Sequence, residues 1–157
     1  MSALSEVALP RVVLLTDARG VNVTDTAAAC TSALRDEGRE VHLMALSPGP
    51  DPLALRALRA VEATDGLLLL TAPGLLARLD PRGGTLADAG TALRYKGIST
   101  GVVLAADPTT PGTLHAVALH SEVLRHRELP LLGTLALSAG PQGLSWLLPE
   151  EWETMTA

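Results

Sequence analysis

The residues of this chain that could do chemistry gather in three short polar stretches. The first is the richest. In "RVVLLTDARGVNVTDTAAAC", residues 11–30, an apolar run meets a polar loop with a glycine, and Thr-Asp-Thr then opens an alanine-rich helical pattern. Arg19, Asn22 and Thr24 place a guanidinium, an amide and a hydroxyl just ahead of a helix whose first N–H groups have no internal partner. Such a set suits a phosphate monoester, while Asp17 and Asp25 in the same stretch repel one. The second stretch runs from Ala72 to Gly84, and the third is "AADPTTPG", residues 105–112. Asp17 and Asp107 both fall at predicted strand ends, which makes each a candidate acid or base for a bound substrate.

Other reactive side chains offer less. His115, His120 and His126 share one predicted helix, but their spacing gives no clean i, i+4 pair and no cysteine or acidic cluster completes a metal site. They read as surface or interface histidines, and no metal is expected. Cys30, among alanines and threonines, reads as a small core residue rather than a nucleophile. Trp146 and Trp152 read as aromatic anchors for the end of the chain, with stacking on a ligand as the alternative.

The elements that must position these loops alternate strand and helix, the pattern of βαβ units on a parallel sheet. Val12 to Thr16 is apolar on both faces, as a central parallel strand requires. Thr24 is placed to cap the next helix and Gly38 to close it. "EVHLMAL" reads as a second strand, and Asp51-Pro52 is a helix start signal. Leu55, Leu58 and Val61 recur at helical spacing. "LLLLT", "GVVLAA" and "LLGTLAL" read as the third, fourth and fifth strands, with helices expected over Leu86–Leu93 and Thr113–Arg127. The expectation is one domain over residues 1–157, a three-layer α/β/α sandwich with a five-stranded parallel sheet. The first strand should lie centrally with the third beside it, and residues 140–157 read as a C-terminal tail.

Composition narrows the function classes. The 157 residues are 47% hydrophobic, in short runs broken by Gly and Pro, and none approaches a membrane span. The first residues lack the charged and apolar regions of a signal peptide. The lone cysteine fits a reducing, cytoplasmic setting. A formal charge of −5 argues against a nucleic-acid partner. No G-x-G-x-x-G follows the first strand, no G-x-x-x-x-G-K-[ST] is present, and no G-x-S-x-G elbow occurs. The third strand ends at Thr71 rather than at the aspartate that a receiver domain needs.

Three segments carry a family likeness. "VEATDGLLLLTAP", "YKGISTGVVLAAD" and "GTLHAVALHSEVLRHRELPLLG" resemble the third strand, fourth strand and following helix of the flavodoxin-like NAD(P)H-dependent FMN reductases. The resemblance covers roughly Arg11 to Leu137. It implies a flavodoxin-like fold, a homodimer and hydride transfer through flavin N5, for which no side chain need act as acid or base. It implies FMN contacts from Thr16, Asp17, Arg19, Asn22 and Thr24 in the first loop, Pro73, Gly74 and Leu75 in the second, and Asp107 and Gly112 in the third. The second loop has Gly74, Leu75 and Leu76 where the family has an acidic and an aromatic residue. Two alternatives therefore stand beside the reductase: a flavin-free binding or interaction module, and a non-flavin enzyme using the same strand-end pocket with Asp17 or Asp107 as acid/base.

Overall fold

The computed structural model describes residues 8–19, 23–107, 109–137 and 144–147. Five parallel strands form the sheet: β1 (Val12–Arg19), β2 (Val41–Ala45), β3 (Leu67–Ala72), β4 (Thr100–Ala106) and β5 (Leu131–Leu137). Four helices connect them: α1 (Val23–Asp36), α2 (Leu53–Glu62), α3 (Leu86–Tyr95) and α4 (Thr113–His126). The three-layer α/β/α sandwich with five parallel strands expected from the sequence is the one adopted, flavodoxin-like in its layers. A sixth strand, β6 (Leu144–Leu147), joins β5 antiparallel, with Trp146 opposite Leu135. Part of the stretch read as a tail thus extends the sheet, while Trp152 lies outside the described residues.

The order across the sheet is β2-β3-β1-β4-β5-β6. β1 is central, with Leu14 level with Leu70 of β3 on one side and Val102 of β4 on the other. That position follows from its composition, since Val12, Val13, Leu14 and Leu15 all lie at 2% exposure or less. β3 and β4 are buried along their whole length. β2, in contrast, buries only Val41, as an edge strand does. The flavodoxin order is 2-1-3-4-5, so β1 and β3 have exchanged places here.

Handedness then fixes the layers. The β1-to-β2 crossover runs one way along the sheet, and those into β3, β4 and β5 run the other way. Right-handed connections place the first helix and the later three on opposite faces. One apolar layer accordingly joins α1, through Ala27, Cys30 and Leu34, to Val13, Leu15, Leu69 and Val103. The other joins α2, α3 and α4 to Val12, Leu14, Leu68, Leu70, Val102 and Leu104. α3 comes especially close: a Cβ at Gly90 would stand 2.7 Å from Leu14 Cδ1 and 3.2 Å from Leu129 Cδ1. Glycine there costs helix propensity and allows the approach.

The helix ends are finished by specific groups. Gly38 closes α1 with φ +85° and its N–H on Arg35 O at 2.9 Å. Thr85 and Asp88 form a capping box on α3, and Asp88 also pairs with Arg127 at 2.6 Å. α2 departs from expectation. It begins at Leu53, Pro52 stands at its N-cap without a side-chain cap, and Asp51 instead approaches Arg59 at 3.7 Å. The capping oxygen comes from 27 residues away: Asp80 Oδ2 accepts the Leu53 N–H at 2.7 Å.

Candidate functional site

The carboxyl ends of β1 and β4 lie side by side, and their connections leave in opposite directions. In open α/β sheets a crevice forms where neighbouring connections diverge, and ligands bind there. The β1–β4 register slips between Asp17 and Arg19, and such an irregularity bends a strand and re-aims its side chains. Asp17 stands at this place. Its Oδ1 is buried and, among the described residues, has no hydrogen-bond partner. Burial pushes the Asp17 carboxyl above the usual aspartate range, against weaker opposing pulls from its own backbone N–H and from His120. His120 donates Nδ1–H to Ala116 O at 2.6 Å, which leaves Nε2 for another partner. A carboxyl group that resists ionisation and has an unanswered oxygen suits a ligand bearing an N–H or O–H donor. It does not suit a phosphate.

The other predicted site residues fall in different surroundings. Thr16 is fully buried and donates its hydroxyl to Ala72 O at 3.1 Å, tying β1 to β3. Thr24 lies inside the first turn of α1 rather than at its cap, and it is exposed. Arg19 ends β1, while Asn22 lies outside the described residues. Pro73 is exposed and Gly74 partly so, but Leu75 is at 0% exposure inside the α2–α3–α4 apolar layer. Leu75 therefore has no surface to offer a flavin ring, whereas Leu76 beside it is 47% exposed.

Asp107 accepts the Thr109 hydroxyl at 2.6 Å and the Thr109 N–H at 2.9 Å, and those bonds hold its carboxyl below the usual range. It is committed to its own turn and ionised, so Asp17 is the better proton-handling group of the two. Gly112 precedes α4 with φ +83°, and the fully buried Thr113 hydroxyl next to it has no partner among the described residues. Cys30 is buried and its thiol is pushed up to about 11, so it is not a nucleophile at neutral pH.

Sequence reasoning missed Asp80 and Arg56. Asp80 accepts three backbone N–H groups, from Leu53, Arg82 and Gly84, and Arg56 donates to Ser47 O and Leu79 O. Together they lock the β2–α2 and β3–α3 loops to each other. "DPRGG" is legible as a turn, but its reach to a helix start in another connection is not. Among the described residues, no group of three or more His, Cys, Asp or Glu side chains is placed to hold a metal ion. Among them, too, no helix is long and apolar enough to cross a membrane.

The fold defines an α/β domain whose candidate ligand position is the carboxyl edge of the sheet, where the β1 and β4 connections diverge. No family model matches the chain. Over 111 residues, which are 71% of this chain, it is 36% identical to the ATP-dependent dethiobiotin synthetase BioD of Frankia casuarinae. The match covers 41% of that relative, so the chain spans less than half of its length. The likeness is to an enzyme, and to a synthetase. It overturns the expected FMN-dependent NAD(P)H reductase and, with it, the oxidoreductase and flavoprotein classes. The physical reasons agree: β1 and β3 are exchanged relative to the flavodoxin order, Leu75 belongs to the core, and Asp107 is tied into its turn.

Proposed function

We propose that the chain is an enzyme domain of the dethiobiotin synthetase kind that seats a small molecule with N–H donors in the β1–β4 crevice. The observation that carries this reading is the unpartnered, buried Oδ1 of Asp17 at the point where the β1 and β4 connections diverge. Dethiobiotin, the product named for the relative, is a cyclic urea with two N–H groups, which are the donors such an oxygen lacks. His120, with Nδ1 committed to Ala116 O, keeps Nε2 as a second polar group near Asp17 that the same ligand can meet. ATP use stands differently. The first loop has no phosphate-gripping lysine, and the chain's single lysine, Lys96, caps the far end of α3. Any grip on a triphosphate would rest on Arg19, Thr24 and the first N–H groups of α1, with Asp25 opposing it.

Isothermal titration with dethiobiotin, and separately with Mg-ATP, tests the reading. Dethiobiotin should bind the parent, and Asp17→Ala should weaken it by roughly 10- to 100-fold, the loss of one hydrogen bond to a charged or polarised acceptor. ATP should bind no tighter than about 1 mM, equivalent to about −4 kcal/mol. A parent that ignores dethiobiotin, or an Asp17→Ala variant that binds it equally well, would remove the crevice from the argument.

A further inference from the structure

The opposite edge of the sheet holds a second polar feature, where three strands begin. β2, β3 and β1 enter the sheet side by side, and Leu9, Pro10, Arg11, Arg39, Gly66 and Leu67 line a hollow there. Arg11 is fixed in place: its Nη2 donates to Val61 O at 3.1 Å and Thr64 O at 3.3 Å, finishing the end of α2. The rest of its guanidinium N–H set remains for other acceptors. Arg39 is not fixed in this way. Its backbone N–H bonds to Leu34 O at 3.1 Å, and the residue is only partly exposed. Among the described residues, its guanidinium is in none of the ion pairs or side-chain hydrogen bonds.

Two cations lining one hollow repel each other, and Arg39 is partly withdrawn from water as well, so the site carries two costs. The nearby acids do not relieve it. Glu40 is drawn to His42 at 3.3 Å, and the exposed Asp65 makes no ion pair with Arg11 or Arg39. An oxyanion between the two guanidiniums would relieve both costs, because their planar forks match paired carboxylate or phosphate oxygens. Leu9, Pro10 and Leu67 supply an apolar wall beside the charged one. Gly66, at φ +86°, keeps the turn tight: a Cβ there would stand 2.8 Å from Glu40 O.

We propose that this hollow binds a small oxyanion with an aliphatic body, a carboxylate or a phosphate monoester, clamped between Arg11 and Arg39. It lies across the sheet from the β1–β4 crevice, so its ligand is not the crevice's ligand and its loading is read without any activity. The test is an amide NMR titration of the full chain with butyl phosphate, hexanoate, inorganic phosphate and 1-hexanol. Gly66 and Leu67 amides should shift and saturate with both organic anions, less tightly with inorganic phosphate, and not with hexanol. Arg39→Ala should weaken butyl phosphate binding by roughly tenfold or more, and Arg39→Lys should fall between, since it keeps the charge and loses the fork. Arg11 is left intact because the end of α2 depends on it. Shifts that never saturate, an Arg39→Ala variant that titrates like the parent, or hexanol reproducing the anion shifts would each overturn the proposal. Equal affinity for inorganic phosphate would overturn the aliphatic part.

Discussion

Replacing Leu75 by alanine separates two views of the loop after β3. As a ligand-facing residue, Leu75 would contribute little to stability. The structure instead buries it fully, in one apolar layer with Leu79, Leu86 and Ala72, and its carbonyl accepts the Ala87 N–H at 3.2 Å. Truncating a fully buried leucine costs about 2–5 kcal/mol, the spread reflecting how far the surroundings collapse. The chain around it is held at both ends. Asp80 binds the loop to α2, and the Thr85–Asp88 box fixes the start of α3, so collapse is limited and the upper half of the range applies. For a chain of 157 residues, an unfolding entropy of about 2.1 cal/mol/K per residue makes 1 kcal/mol worth about 3 °C. Leu75→Ala should therefore lower the melting temperature by roughly 10–15 °C. Leu76→Ala, on the exposed neighbour, should stay within about 2 °C. The assay is differential scanning calorimetry of parent and both variants at neutral pH. A Leu75→Ala loss under about 3 °C, or a larger loss at Leu76, would refute the placement of this loop in the core.

Two pH predictions have opposite signs. Asp80 is held below the usual aspartate range, first by the Leu53 N–H and then by the Gly84 N–H. Its contribution is present at neutral pH and is lost as pH falls through that lowered value; thermal melts of Asp80→Asn should start lower than the parent at neutral pH and converge with it in acid. Asp17 is raised by burial, so its native state holds the proton longer and stability declines as pH rises from the ordinary aspartate range through the raised value. Ligand-free Asp17→Asn should consequently melt higher than the parent at neutral pH. An Asn variant that melts lower would mean that Asp17 has a partner in the folded protein.

Most elements were legible because burial leaves a periodic mark. β5 was read at the boundaries it has, and β3 and β4 to within one residue, since both faces of each are apolar. Asp51-Pro52 misled by one residue at the start of α2, because local capping chemistry cannot reveal that a distant carboxylate does the capping. The same limit hid Arg11, whose bonds to Val61 and Thr64 reach across 50 and 53 residues. At the site, Asp17 was visible as a polar residue at a strand end. Its unanswered oxygen was not visible, because that depends on what α4 and the neighbouring strands leave around it. Leu75 was expected at the ligand because the family resemblance places it in the second loop, and nothing in its spacing says which of two adjacent leucines turns inward.

That last error and the mistaken reductase assignment have one physical root. Apolar runs show that β1, β3 and β4 are interior strands, but the runs are the same whether β2 lies next to β1 or next to β3. With the order 2-1-3-4-5 the ligand lies between β1 and β3, and the loop after β3 must face it. With β3 between β2 and β1, the diverging pair becomes β1 and β4. The β3 loop is then released from ligand contact. It crosses toward α2 and α3, where Leu75 fills the core and Asp80 caps α2. The carboxyl end of β1 borders the diverging pair in either order, so Asp17 stands beside that place in both and the loop carrying Leu75 in only one. A flavin would need an apolar or aromatic support from the β3 side of β1. This sheet offers instead a half-buried carboxyl group beside β4, with a histidine near enough to draw on it, and those groups favour a ligand that brings hydrogen-bond donors over one that brings a phosphate and a ring.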